Sequence, residues 1–299
     1  MRRAMLRKML FKFRHQLPAI FLFFVSVNAL GQLQFHVLDE NVIELRLKGF
    51  SGNNAKREEI IKDLFTKSGC ADGISEQTLN RHMPPNVICV LPGETEEEIV
   101  VGAHTDHVEH GEGVVDNWSG AALLPSLYSS LAGNPRQHTF VFIGFSAEER
   151  GMLGSDFYVH HLSKEQRTRI EGMVNMDSLG LGPTKVWATH ADKVMLNVLM
   201  AAANAMNVPI AAVNVDRVGT TDSESFARFR IPRITLHSIT QQTWPVLHSY
   251  RDNFGAIKMD DYYASYRLIA GYLAYLDEEL GRQPDAPARN GPNSGQVQK

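Results

Sequence analysis

Residues 97–106 read EEIVVGAHTD, and this stretch decides the fold. Acids lead into an apolar run, Ile99 to Val101, which ends in His104 and Asp106. The pattern is that of a short strand with polar groups at its carboxyl end. Working outward, NVICVLPG (86–93) reads as a strand and turn, and HTFVFIGFSAEE (138–149) as a third strand. GMVNMDSLG (172–180) is a fourth and VWATH (186–190) a candidate fifth, with RIPRITLHS (230–238) a late strand. Helical patterns alternate with them. Residues 54–68 carry Ile60, Ile61, Leu64 and Phe65 at helical spacing, with Asn53 or Asn54 as cap and Gly69 as stop. Further helices are expected after Ser119, where Pro125 must sit in the first turns or kink the helix, and over 190–207 and 259–280. Short apolar strands alternating with helices predict an α/β fold with a mostly parallel sheet covered on both faces.

The ends of the chain differ from the rest. Arg2, Arg3, Arg7, Lys8, Lys12 and Arg14 precede a 14-residue apolar run at 17–30. A bilayer span needs roughly 20 residues, whereas the core of a secretory signal has about 7–15. Residues 1–31 therefore read as an export signal or, if uncleaved, as an N-terminal anchor. Removal of the segment leaves no stable membrane insertion and places the protein in the periplasm or outside the cell. It also takes away six basic residues and no acidic one, moving the formal charge from −3 to −9. Such a chain lacks the basic face that nucleic acid requires. Cys70 and Cys89 are expected to pair in an exported chain. A single domain is expected over 32–283, with a disordered tail rich in Pro, Gly, Asn and Gln over 284–299.

In open α/β sheets, ligands bind outside the carboxyl ends of the strands. His104 and Asp106 end one strand, Glu148 and Glu149 the next and Asp177 another, while Asp116 opens a helix and His248 follows the late strand. Separately each has an ordinary explanation as a solvated strand end or a helix cap. Together they bring carboxylates and imidazoles to one edge. Alternation along the strand puts His104 and Asp106 on one face, so that Asp106 can hold the second ring nitrogen of a ligating His104. His107, Glu109 and His110 fall in a glycine-containing loop. Glu148 and Glu149 are adjacent and cannot point the same way, so one can bind a metal while the other meets water.

The motifs GAHTDH, VVDNWSGAA, FIGFSAEERGMLGS, NMDSLG and HSYRDN, in this order across residues 40–280, resemble the secreted dizinc aminopeptidases. These metallopeptidases share a fold with glutaminyl cyclases and transferrin-receptor-like ectodomains. The resemblance implies a three-layer α/β/α, zinc-peptidase (phosphorylase/hydrolase-like) fold with a central, mostly parallel mixed sheet. It implies that His104 and Asp177 hold one zinc, Glu149 and His248 the other, and Asp116 bridges both. It also implies Glu148 as general base, Asp106 as the partner of His104, Asp252 as a supporting acid and Asn117 as the residue securing the Asp116 turn. Two Zn²⁺, with three ligand carboxylates and one hydroxide, would form a neutral core. Oxygen and nitrogen ligands also admit manganese or cobalt.

The expected reaction is hydrolysis of the first residue from a peptide or aminoacyl substrate. The alternative is a single-zinc glutaminyl cyclase, but SAEERGMLGS runs on without the Trp-bearing insertion of those enzymes, and Leu247 rather than Trp precedes His248. A binding ectodomain without chemistry would lack ligands that this chain retains. Asp222, in TTDSESFARFRIP (220–232), is either a helix cap or a group bordering the site. Trp244, Tyr250 and Phe254 are candidates for a side-chain pocket, and Arg217, Arg228 and Arg251 for binding a substrate carboxylate.

Overall fold

Why the strands stack into two covered faces follows from their alternation. Ile99, Val101, Ala103, Phe140 and Phe142 point into the larger core, and Val100, Val141, Ile143 and Phe145 into a smaller one on the opposite face. A computed structural model describes residues 35–217 and 219–281, so the expected leader and C-terminal tail lie outside the described residues. The strands are β1 (Ile74–Gln77), β2 (Asn86–Leu91), β3 (Glu98–His104), β4 (Thr139–Phe145), β5 (Ile170–Met176), β6 (Lys185–Val186), β7 (Ala211–Ala212) and β8 (Arg233–His237). They form one sheet in the order β1-β2-β4-β3-β5-β8-β6-β7. The central run β4-β3-β5-β8 is parallel, while β1, β2 and β6 pair antiparallel with neighbours. The sheet is thus mostly parallel, as the strand–helix alternation predicts, and mixed, as the family resemblance implies. The expected fifth strand is shorter than its motif. It ends at Val186, after which Trp187 stacks on His190 (4.2 Å) and the chain turns through a 3-10 helix.

Nine α-helices occur among the described residues: α1 (Glu40–Lys48), α2 (Asn54–Lys67), α3 (Ser119–Ala121), α4 (Leu124–Leu131), α5 (Leu153–His161), α6 (Lys164–Arg169), α7 (Lys193–Ala205), α8 (Ser223–Ala227) and α9 (Met259–Gly281). The Asn53 side chain caps α2, and Gly69 follows its end at φ +98. The helix after Ser119 is broken in two. Pro125 has no N–H for the carbonyl of Ala121, and it sits in the first turn of α4. On the larger-core face, α9 carries Tyr262, Tyr266 and Tyr272, all fully buried. Each hydroxyl is paired: with Ser119 O (2.8 Å), Ser130 Oγ (2.7 Å) and Met195 O (3.2 Å) respectively. Burial of a tyrosine body with its polar tip satisfied is stabilising on both counts. The opposite face is covered by Tyr158 and Val159 of α5 and Phe226 of α8. No helix among the described residues is long and apolar enough to cross a membrane.

Two links tie the periphery to the sheet. Cys70, just past α2, is disulfide-bonded to Cys89 in β2, as expected for the pair. Closing a loop of 19 residues' separation contributes about 3 kcal/mol in the chain-entropy account. At the amino ends of the strands, the buried His138 imidazole lies between Asp277 (Nδ1 to Oδ1, 2.9 Å) and Glu171 (Nε2 to Oε2, 3.2 Å). Asp277 also accepts from the main-chain N–H groups of Gln137 and His138. Burial opposes charge on His138, but its hydrogen bonds to the two carboxylates prevail and raise its pKa to about 9.

A raised imidazole pKa stabilises the fold fully below the unfolded value of about 6.5, and the contribution disappears as pH rises through about 9. His138→Ala should therefore lower the melting temperature most at about pH 6, with a deficit that narrows above pH 9. A deficit of constant size across that range in thermal melts would refute the charged clamp.

Candidate metal centre

The polar edge is assembled from five pieces of chain. His104 is the last residue of β3, and Asp177 immediately follows β5. Glu148 and Glu149 open the short 3-10 turn after β4. Asp116 lies in an irregular turn, Val114–Trp118, with extended backbone angles (φ −114, ψ 91) and a cis peptide to Asn117. His248 sits in the loop after β8 with φ +55. Ala147 and Ser178 also have positive φ, next to Glu148 and Asp177. Such non-glycine conformations cost of order 1–3 kcal/mol each and persist where surrounding contacts impose them.

Those contacts are specific. Asp252 Oδ1 accepts from Val115 N (2.7 Å) and Oδ2 from Asp116 N (3.1 Å), fixing the backbone that carries Asp116. Asn117 donates from Nδ2 to Met176 O (2.8 Å) and accepts at Oδ1 from Gly120 N (3.0 Å) and Ser178 N (3.2 Å). It thereby joins the Asp116 turn to the end of β5. Gly120 is required there: a Cβ would stand 2.7 Å from Asn117 Oδ1 and from Met176 O. Asp106 meets both His104 and the glutamate turn. Its main-chain carbonyl, rather than its carboxylate, is the hydrogen-bonding partner of His104 Nδ1 (3.1 Å); the carboxylate Oδ1 lies 3.7 Å away. The two carboxylate oxygens instead accept from the main-chain N–H groups of Glu148 (3.0 Å) and Glu149 (3.2 Å). Asp106 therefore sets the position of the glutamate pair as well as that of the imidazole.

The side chains converge on Asp116. Its Oδ1 lies 3.2 Å from His104 Nε2, and its Oδ2 lies 3.1 Å from His248 Nε2. His104 Nε2 is also 3.7 Å from Asp177 Oδ1, and His248 Nε2 is 3.1 Å from Glu149 Oε2. Two donor trios result, His104–Asp116–Asp177 and Asp116–Glu149–His248, each with its ligand atoms within 4.8 Å of one another. Donors held about 2.0–2.2 Å from one zinc in a tetrahedron stand about 3.3–3.6 Å apart, which fits this spacing. A third trio, His104–Glu148–Glu149, places Glu148 beside both. Glu149 Oε1 is buried with no hydrogen-bond partner among the described residues, an oxygen that calls for a cation.

The electrostatics agree. Burial raises the Glu148 carboxyl, as do Asp222, Asp177 and Asp116, against the opposing effect of His104. Burial raises Asp116 too, but hydrogen bonds from His104 and His248 outweigh it and hold the group far below the usual carboxylate range. Hydrogen bonds to Asp116 and Glu149 lift His248 to about 10. The site thus gathers more negative charge than its two imidazoles offset. A divalent cation would reverse that balance, and its binding would displace protons from the histidines.

Of the three histidines in 101–110, only His104 joins a donor trio among the described residues. The main chain of His107 is paired with the Asn54 side chain, and the His110 ring stands edge-on to Tyr250 at 5.7 Å. Glu109, Glu112, Tyr250 and Phe254 line a surface pocket of about 430 Å³. Asp222 precedes α8, but its carboxylate caps nothing. It is fully buried, and among the described residues neither oxygen has a partner within hydrogen-bond geometry, Ser155 being a polar neighbour. Arg228 is paired with Asp156, and Arg251 donates to Pro245 O. Thr221 is a supporting group that its residue type does not announce: it donates to Asp177 Oδ2 (2.6 Å) and accepts from Asn175 Nδ2 (2.6 Å).

Comparison with known proteins places the chain in a family. The family model for peptidase family M28 matches residues 86–273. The chain belongs to peptidase family M28. Aminopeptidase YwaD of Bacillus subtilis is 35% identical over 106 residues, covering 36% of this chain and 22% of that protein. The matches to curated relatives span only 16–22% of those proteins' own lengths. Among solved structures, BSAP, a zinc aminopeptidase from Bacillus subtilis, is similar with a TM-score of 0.59 and 23% identity, covering 64% of this chain and 49% of that one. An Acidobacteriales bacterium glutaminyl cyclase is similar with a TM-score of 0.64 and 17% identity, covering 80% and 94% respectively. These likenesses establish the three-layer fold of the M28 chain.

His104→Ala should sharply lower metal content in elemental analysis of purified protein, while His110→Ala should leave it unchanged. The reverse ranking would remove His104 from the centre.

Proposed function

We propose that this M28 chain is a co-catalytic dizinc aminopeptidase that removes N-terminal residues from peptides. The observation that carries the reading is the division of Asp116: one oxygen faces His104 and the other His248, and each histidine has a further carboxylate of its own. His104 and Asp177 would hold one ion, Glu149 and His248 the other, with Asp116 shared. Zinc bound in those positions would supply Lewis acidity toward a substrate carbonyl and would make water a better nucleophile near neutral pH. The relatives named aminopeptidases and the zinc aminopeptidase among the structural neighbours support the choice of metal and reaction.

The chain's own groups divide the remaining work. Glu148 lies outside the two proposed ligand sets yet beside His104 and Glu149, so its carboxylate is available to take a proton from the attacking water. It then returns that proton to the nitrogen of the leaving amine. Asp106 holds Glu148 in place through the main-chain N–H. Asp252 and Asn117 keep Asp116 between the two histidines. Two complete donor trios favour this reading over a cyclase that uses one zinc. Release of an N-terminal residue, rather than cyclisation of an N-terminal glutamine, is the distinguishing product.

We also infer export. The basic and apolar segment at the start of the sequence supports it, and so does the Cys70–Cys89 disulfide, a bond that persists in oxidising compartments.

Glu148→Gln should retain fold and metal but lose about 10²–10⁴-fold in kcat, the usual contribution of a general base. Steady-state rates on an aminoacyl p-nitroanilide, with circular dichroism and metal analysis on the same sample, test this. A variant with wild-type turnover would remove Glu148 from the role.

A further inference from the structure

Arg57 lies on α2, upstream of the segment matched by the family model, and its side chain is fully buried. Every hydrogen bond it donates among the described residues goes to a main-chain carbonyl. Nε reaches Ser51 O (2.6 Å), Nη1 reaches both Thr105 O (3.2 Å) and Gly113 O (3.1 Å), and Nη2 reaches Glu112 O. The guanidinium also sits 5.5 Å from the Trp118 ring. Thr105 lies between His104 and Asp106, and Gly113 opens the turn that presents Asp116. One nitrogen therefore closes the loop 105–113 at both ends. The main chain of Glu112 is held at both its polar groups, its carbonyl by Arg57 and its N–H by Asp252 O (2.7 Å). The next residue on α2 adds a contact, since Glu58 Oε1 lies 2.5 Å from Thr105 Oγ1.

We propose that Arg57 is a positioning residue for the metal centre: it fixes the spacing between His104 and Asp116 by clamping the two ends of the loop that joins them. The role rests on the metal-binding reading above, but not on the identity of the substrate. Only a planar, multiply donating cation can reach these diverging carbonyls at once. A lysine ammonium keeps the charge but not the fork.

The test compares wild type, Arg57→Lys, Arg57→Met and, as a control far from the site, His138→Ala. Arg57→Lys should weaken zinc binding about tenfold or more in chelator competition and alter the visible spectrum of the cobalt-substituted protein. It should lower kcat about tenfold, with KM within about twofold of wild type. Arg57→Met should be worse on each measure. His138→Ala should lose thermal stability yet keep wild-type zinc affinity. If the Arg57 variants do not fold, hydrogen exchange on metal-free wild type still decides. Amides of 105–116 should be protected without metal, and free exchange there would overturn the proposal. So would Arg57→Lys with a lowered melting temperature but unchanged zinc affinity and cobalt spectrum, because the role would then be structural only. Wild type that binds no zinc would overturn this proposal and the metallopeptidase reading together. Wild type that binds zinc but releases no N-terminal residues would end the aminopeptidase reading alone.

Discussion

The site depends on one carboxylate held between two imidazoles. Asp116 contributes an oxygen to each donor trio, so a displacement of this side chain would open both at once. Its position is consequently over-determined. Asp252 grips the backbone N–H groups of Val115 and Asp116, Asn117 ties the following residue to the end of β5, and Arg57 anchors the approach at Gly113. None of these supports comes from the same element, and Asp252 is more than a hundred residues distant in sequence. The parallel sheet makes the arrangement possible because it delivers the ends of β3, β4 and β5 side by side. Each strand end then needs only one or two residues in irregular conformation to turn its side chain inward.

Charge explains why so much backbone is committed. Carboxylates gathered at one buried edge repel each other, and local propensity alone would not hold them there. The hydrogen bonds that fix them are almost all main-chain to side-chain contacts. Asp106 accepts from Glu148 and Glu149, and Asp252 accepts from Val115 and Asp116. Two acids outside the proposed ligand set thus orient three carboxylates inside or beside it. Anchoring through N–H groups also leaves the oxygens of Glu149 and Asp116 directed at the imidazoles instead of being consumed by one another.

Much of this was legible in the sequence because strand ends carry a strong signal. β2 to β5 and β8 appear as apolar runs, and the polar residues that follow them are the ones the sheet brings together. The short or half-exposed elements were not legible. β1, ISEQ, has no apolar alternation, and α1, ENVIELRLK, sets Ile43, Leu45 and Leu47 at alternate positions as a strand would, although only Ile43 and Leu47 of them are buried. The supporting contacts were hidden for a different reason. Nothing about Thr221 or Arg57 as residue types reveals that their partners are Asp177 Oδ2 and the carbonyls around Thr105. Asp106 could be placed behind His104 by counting residues along a strand. Its grip on the 148–149 turn depends on how β3 pairs with β4, which counting does not supply.

The molecule contains its own comparison for what makes a histidine–carboxylate group suited to a metal. His138 is buried between Asp277 and Glu171, much as His104 is buried among Asp106, Asp116 and Asp177. At His138 the two carboxylates approach opposite nitrogens of one ring. The partners diverge, Asp277 also accepts two main-chain N–H groups, and one proton on the imidazole completes the set. At the other end of the sheet, two carboxylate oxygens meet on the same nitrogen of each ring, where at most one proton can sit. An oxygen of Glu149 remains buried with no donor among the described residues. The same residue types therefore make a closed ion-pair clamp in one place and an open, cation-seeking cluster in the other. Convergence of the donor atoms and excess negative charge distinguish them, not the number of histidines, which is why a stretch with three of them contributes only His104.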